Sequence, residues 1–83
     1  MKAAKSHPKY KSLRYALAGL SNAVRVQHEW ARRLSFSPGD DTVADEFVSA
    51  HLTMRRLQKR VYLLRMEIAR DTDLPIDSIY RLK

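Results

Sequence analysis

The chain contains no cysteine, so neither a disulfide nor a thiolate zinc site can supplement its core. Glycine occurs only twice, at Gly19 and Gly39, which excludes a glycine-rich phosphate loop. The longest apolar run, Tyr15 to Leu20, falls far short of the roughly 20 residues that span a bilayer. Met1-Lys2-Ala3-Ala4-Lys5 has the basic character of a secretory signal's first residues, yet no apolar segment follows it. The expected setting is therefore soluble and cytoplasmic, without a membrane partner.

Catalytic chemistry is also missing. His28-Glu29-Trp30-Ala31-Arg32 departs from the zinc-protease pattern HExxH because Arg32 stands where the second histidine must be. His7, His28 and His51 have neither cysteine companions nor ligand spacing. The carboxylates gather where helix capping explains them. We expect no enzyme, no metal and no cofactor.

What is present is heptad patterning and positive charge. The 83 residues suit one domain, 1–83, and a domain this small buries only about 60% of its unfolded surface. Oligomerisation or docking on a larger partner is the common remedy. From Tyr10 an apolar stripe runs Tyr10, Leu13, Leu17, Leu20, Val24, Gln27, Ala31, Leu34, alternating steps of three and four. Gln27 is its one polar member. A second stripe runs Val43, Phe47, Ala50, Met54, Leu57, Val61, Leu64, Ile68, apolar throughout. Ser35-Phe36-Ser37-Pro38-Gly39-Asp40-Asp41 lies between them and carries turn chemistry: fixed φ, free φ and side-chain capping.

These signals predict an all-α fold. Two long helices, about 8–34 and 42–70, form an antiparallel hairpin, and a short helix follows at about 75–82. Ser6 would cap the first, with Pro8 in its first turn. Thr42-Val43-Ala44-Asp45 reads as a capping-box variant, and Asp73 would cap the last helix. The short loop brings together residues whose numbers add to about 77, for example Leu34 with Val43, Leu20 with Leu57, and Leu13 with Leu64. Gln27 then falls near Ala50 and His51. It either bonds His51 and fixes register or reaches solvent at the seam edge.

The first helix carries a further seam of small residues, Ala16, Gly19, Ala23 and Val26, ending at Trp30. It is a candidate dimer face anchored by Trp30, which would make a helical bundle. The other reading is that Trp30 covers the loop end of its own hairpin.

Charge is sorted by end. Formal net charge is +7, which favours nucleic acid or an acidic protein surface as partner. Residues 1–28 carry Lys2, Lys5, Lys9, Lys11, Arg14 and Arg25 and no acid. Residues 55–70 carry Arg55, Arg56, Lys59, Arg60, Arg65 and Arg70 against Glu67. Between them, residues 29–54 carry Glu29, Asp40, Asp41, Asp45 and Glu46 against Arg32 and Arg33. Folding the hairpin makes its open end basic and its loop end acidic. Either the basic end contacts phosphates, with Lys9, Lys11, Arg14, Arg55, Arg56 and Lys59 as candidates, or two hairpins pair head to tail. An ordinary solvated face explains one-signed segregation less well.

Residues 67–83 read Glu-Ile-Ala-Arg-Asp-Thr-Asp-Leu-Pro-Ile-Asp-Ser-Ile-Tyr-Arg-Leu-Lys. This segment resembles the helix-turn-helix of IclR-type bacterial transcription regulators. The match runs through Ile68, Ala69, Thr72, Leu74, Pro75, Tyr80, Arg81 and Leu82, over about a fifth of the chain. The resemblance implies a helix in the major groove, with Asp77, Ser78, Tyr80 and Arg81 on or near its DNA-facing side. Asp73 replaces the family's turn glycine, and the preceding helix is longer than the family's.

The expected function is a small basic nucleic-acid-binding regulatory protein, acting as a homodimer or as a subunit of a larger complex. The alternative is a protein-binding modulator or inhibitor, of the phage or plasmid type, that docks on a larger assembly. A purely structural oligomerisation element is a third reading.

Overall fold

The structure is a computed structural model and describes residues 4–81. A single 3₁₀ turn, Ala4–Ser6, precedes three helices: α1 (Tyr10–Phe36), α2 (Asp41–Thr72) and α3 (Ile76–Tyr80). α1 and α2 run antiparallel as a hairpin, giving a rod of 56 × 18 × 16 Å. Both apolar stripes face inward. Every seam residue from Tyr10 to Leu34 and from Val43 to Ile68 is buried or half-buried.

Contacts between the helices confirm the register. Lys9 meets Glu67, and the space above Gly19 is bounded by Leu57; both pairs of numbers add to 76. His7 meets Asp71, and that pair adds to 78. The expectation of about 77 lies between these values.

Burial is uneven along the rod. Leu13, Ala16, Val61, Leu64, Ile68 and Ile79 form the core with Ala4, all at the open end. Leu13, Ile68 and Ile79 are fully buried. No residue from 24 to 60 is buried; there the two helices cover each other only halfway. The open end is better packed because the 3₁₀ turn and α3 close over it as a third layer. Leu74 and Ile76 pack against that cluster.

The helix ends differ from expectation in instructive ways. α1 begins at Tyr10, two residues beyond the expected start, and Ser6 caps nothing. No side chain caps α1; His7 instead orders the turn before it. Its Nδ1 accepts the Lys9 backbone N–H at 3.0 Å, and its carbonyl accepts the Tyr10 N–H at 3.0 Å. Pro8 therefore lies in the turn before the helix. At the loop, Asp40 rather than Thr42 caps α2, its Oδ1 accepting from the Thr42 and Val43 backbone at 3.0 and 3.3 Å. Gly39 has no positive φ, so the loop does not use its conformational freedom. α2 runs on to Thr72, where the Thr72 hydroxyl donates to the Ile68 carbonyl. Asp73 then terminates α2 in the left-handed region, φ 55°, instead of capping α3. Pro75 takes the cap position of α3 without a side-chain bond. α3 is five residues long. Leu82, expected in that helix, lies outside the described residues, as does Lys2.

Gln27 makes no bond to His51. Its Oε1 is buried and accepts no hydrogen bond. His51 is exposed and stacks on Phe47 instead, with ring centroids 6.3 Å apart.

Candidate nucleic-acid interface

At the open end, the hairpin brings cations from distant segments of the chain to one groove. Lys9 immediately precedes α1 and Ser12 comes from its first turn; Arg56, Lys59 and Arg60 come from α2. Leu63 and Leu64 supply apolar surface between them, and Glu67 closes one edge. On α2 the three cations share a side because 56 and 60 are one helical turn apart and 59 lies between. The register sets residues 9–12 against about 64–67, and the groove runs from there back along α2 to Arg60, Lys59 and Arg56.

Only one groove carboxylate opposes them. The Lys9 ammonium donates to Glu67 Oε2 at 2.5 Å. That hydrogen bond, and then the nearby positive charge, hold the Glu67 carboxyl below its ordinary value of 4.5. Glu67 is therefore ionised and already spent on Lys9, leaving Arg56, Lys59 and Arg60 as the groove's uncommitted charge.

The first turn of α1 also breaks a local rule. A helix N-terminus is partially positive and is stabilised by acids, yet the first turn of α1 has none. Lys9 just before that turn and Lys11 within it take their place, each opposing the dipole by up to about 1 kcal/mol. Dipole and side chains thus add to one positive field, which costs folding free energy and attracts anions.

The predicted site residues divide into groups. Lys9, Arg56 and Lys59 meet in the groove. Arg55 lies beside it, lining an adjoining hollow with Leu52, Gln58 and, again, Arg56 and Lys59. Lys11 and Arg14 stand apart on α1, around Tyr15 and Ala18. Ser78, Tyr80 and Arg81 line neither hollow. Ser78 is half-buried, and the Tyr80 ring lies under the Arg65 guanidinium at 4.3 Å. The Arg81 backbone closes α3 by donating to Asp77. Arg60 and Ser12 belong to the groove and were missing from the candidates drawn from the sequence. Arg60's four-residue step from Arg56 was the available signal; for Ser12 only the register could have shown it.

The small-residue seam needs correction as a dimer face. Ala16 and Ala23 are buried within the chain, and a Cβ at Gly19 would meet the Leu57 methyls at 3.8 Å. The hairpin itself uses these three positions, because α2 approaches α1 on that side. Val26 and Trp30 remain half-buried, and the Arg33 guanidinium lies over the Trp30 ring at 4.7 Å.

Among the described residues no helix is long and apolar enough to cross a membrane. No family model, no curated protein and no solved structure matches this chain.

Proposed function

We propose that this protein binds nucleic acid through the groove at the open end of its hairpin, as a small regulatory protein. The observation that carries the reading is the convergence of Lys9, Arg56, Lys59 and Arg60 from two helices on one groove whose single carboxylate is already paired. Phosphate oxygens are the ligand such a cluster suits, and counterion release would supply most of the affinity.

The test is a titration of labelled DNA and RNA across a salt series. Three or four phosphate contacts predict that log affinity falls with log salt at a slope of about −2 to −3.6, the shallower values for single strands. Changing Arg56, Lys59 and Arg60 together to Glu should abolish binding with helicity intact, since all three are exposed. Glu67→Gln, which removes the groove's carboxylate, should strengthen it. No binding at low salt would reject the reading.

A second reading has its own support. Val48, Leu52, Tyr62, Leu63 and Met66 are large apolar side chains on α2, each about half exposed. Such a face suits a protein partner with an acidic surface. It predicts that the unaltered chain binds neither DNA nor RNA, even at low salt.

A further inference from the structure

The groove does not end at its own rim. Arg56 and Lys59 line it and also line the adjoining hollow with Leu52 and Arg55. The cationic tract therefore continues from the cleft between the helices onto the outer face of α2. Arg55 to Arg60 rise only about 7.5 Å along the helix, so the charge is dense.

Apolar side chains stand in solvent along that tract. Leu52 is 51% exposed, Tyr62 52% and Leu63 49%. Phosphate contacts alone require cations and no such surface. A duplex offers phosphates on its outside and keeps its base faces stacked away, so docking on one would leave these side chains uncovered. A single strand offers both parts: a charged backbone and free base faces that stack on aromatic rings.

Tyr62 is placed for that role. It lies three residues from Lys59 and seven from Arg55, so the three share one face of α2. Its neighbour in sequence, Val61, is buried in the core, which anchors the backbone beneath the ring. Tyr80 is less free, since Arg65 covers its ring. Reading a duplex would need an element able to enter the major groove. α3 is five residues long, its Ile79 is fully buried, and Asp77 stands in its first turn.

We infer that the nucleic acid taken by this groove is single-stranded, with a base stacked on Tyr62 beside Lys59 and Arg55. The inference rests on the nucleic-acid reading above and narrows it. The experiment compares the whole chain's affinity, by fluorescence anisotropy at low salt, for an oligothymidylate of about 15 nucleotides and a duplex of equal length. The single strand should bind at least about tenfold tighter. Tyr62→Ala should weaken single-strand binding about tenfold, the size expected for one stacked base, and change duplex binding little. Tyr62→Phe should retain the affinity. Tyr15→Ala, which removes a tyrosine outside the tract, should retain it too. Equal or tighter duplex binding, or a neutral Tyr62→Ala, would overturn the inference and leave the nucleic-acid reading standing. Absence of binding to both ligands would remove the reading beneath it.

Discussion

His7 and Asp71, 64 positions apart in sequence, meet at 2.9 Å where the N-terminal turn crosses the end of α2. Both ring nitrogens of His7 are engaged. Nδ1 accepts the Lys9 N–H, which places the ring proton on Nε2, and Nε2 donates to Asp71 Oδ2. One side chain thus orders the turn before α1 and ties that turn to α2. Together with Lys9–Glu67 it makes a polar clasp around the open-end core.

The clasp predicts acid sensitivity. Asp71 is held below its ordinary value of 3.8, first by the His7 hydrogen bond and then by Arg70. Glu67 is held below 4.5, first by the Lys9 hydrogen bond. A carboxylate whose folded pKa is depressed contributes stability above its unfolded pKa. That contribution is lost as pH falls through the folded value. For these two groups the loss therefore begins near their ordinary values and proceeds below them. The thermal midpoint, followed by circular dichroism, should fall as pH drops from about 5 toward 2. In Asp71→Asn with Glu67→Gln the midpoint should be lower at neutral pH and the acid slope shallower. An unchanged acid slope would show that other carboxylates set it.

The hairpin was readable in the sequence because its signals were redundant. Sixteen seam positions with one polar exception admit a single pairing once Pro38-Gly39 marks the turn. The helix ends were less readable because several residue types can satisfy the same orphan amide. Ser6 and Thr42 are both plausible caps, but no side chain caps α1, and at α2 the Asp40 carboxylate takes the Thr42 and Val43 amides. The groove was half readable. Charge segregation placed Lys9, Arg56 and Lys59 together, whereas Ser12 and Arg60 entered through rotation about the helix axes. The small-residue seam misled because close approach of another helix was read correctly but assigned to another chain.

Two backbone positions should tolerate improvement. Gly19 lies inside α1, and a Cβ there would make ordinary contact with Leu57 at 3.8 Å. Gly19→Ala should stabilise the fold by up to about 1 kcal/mol, since Gly in a helix interior costs that much relative to Ala. Asp73 holds a left-handed conformation, φ 55°, that glycine adopts without steric cost. Asp73→Gly should add roughly 1 kcal/mol. Denaturant midpoints measure both, and the two sites are remote enough for their effects to add.

Gln27 presents the opposite case. Its Oε1 is buried without a donor in an otherwise apolar seam. Leaving a buried acceptor unpaired costs about 1–3 kcal/mol, whereas an apolar side chain of similar size carries no such penalty. Gln27→Leu should raise the thermal midpoint. A lower midpoint would mean that the amide finds a partner in solution and sets the register.

The uneven core predicts uneven dynamics. Among the described residues, all the buried ones lie within 4–23 and 61–79, whereas residues 24–60 hold only half-buried seam contacts. Local opening should therefore cost least near the loop and most around Leu13, Leu64 and Ile68. Hydrogen exchange measured by mass spectrometry should show amides between Trp30 and Ala50 exchanging well before those at Leu13–Leu17 and Val61–Ile68. The same experiment repeated over a range of protein concentrations tests for a second copy. A dimer covering the loop half would raise protection there as concentration rises and leave the open end unchanged. Protection that is independent of concentration, with the loop half always first to exchange, is the pattern of a lone hairpin held at one end.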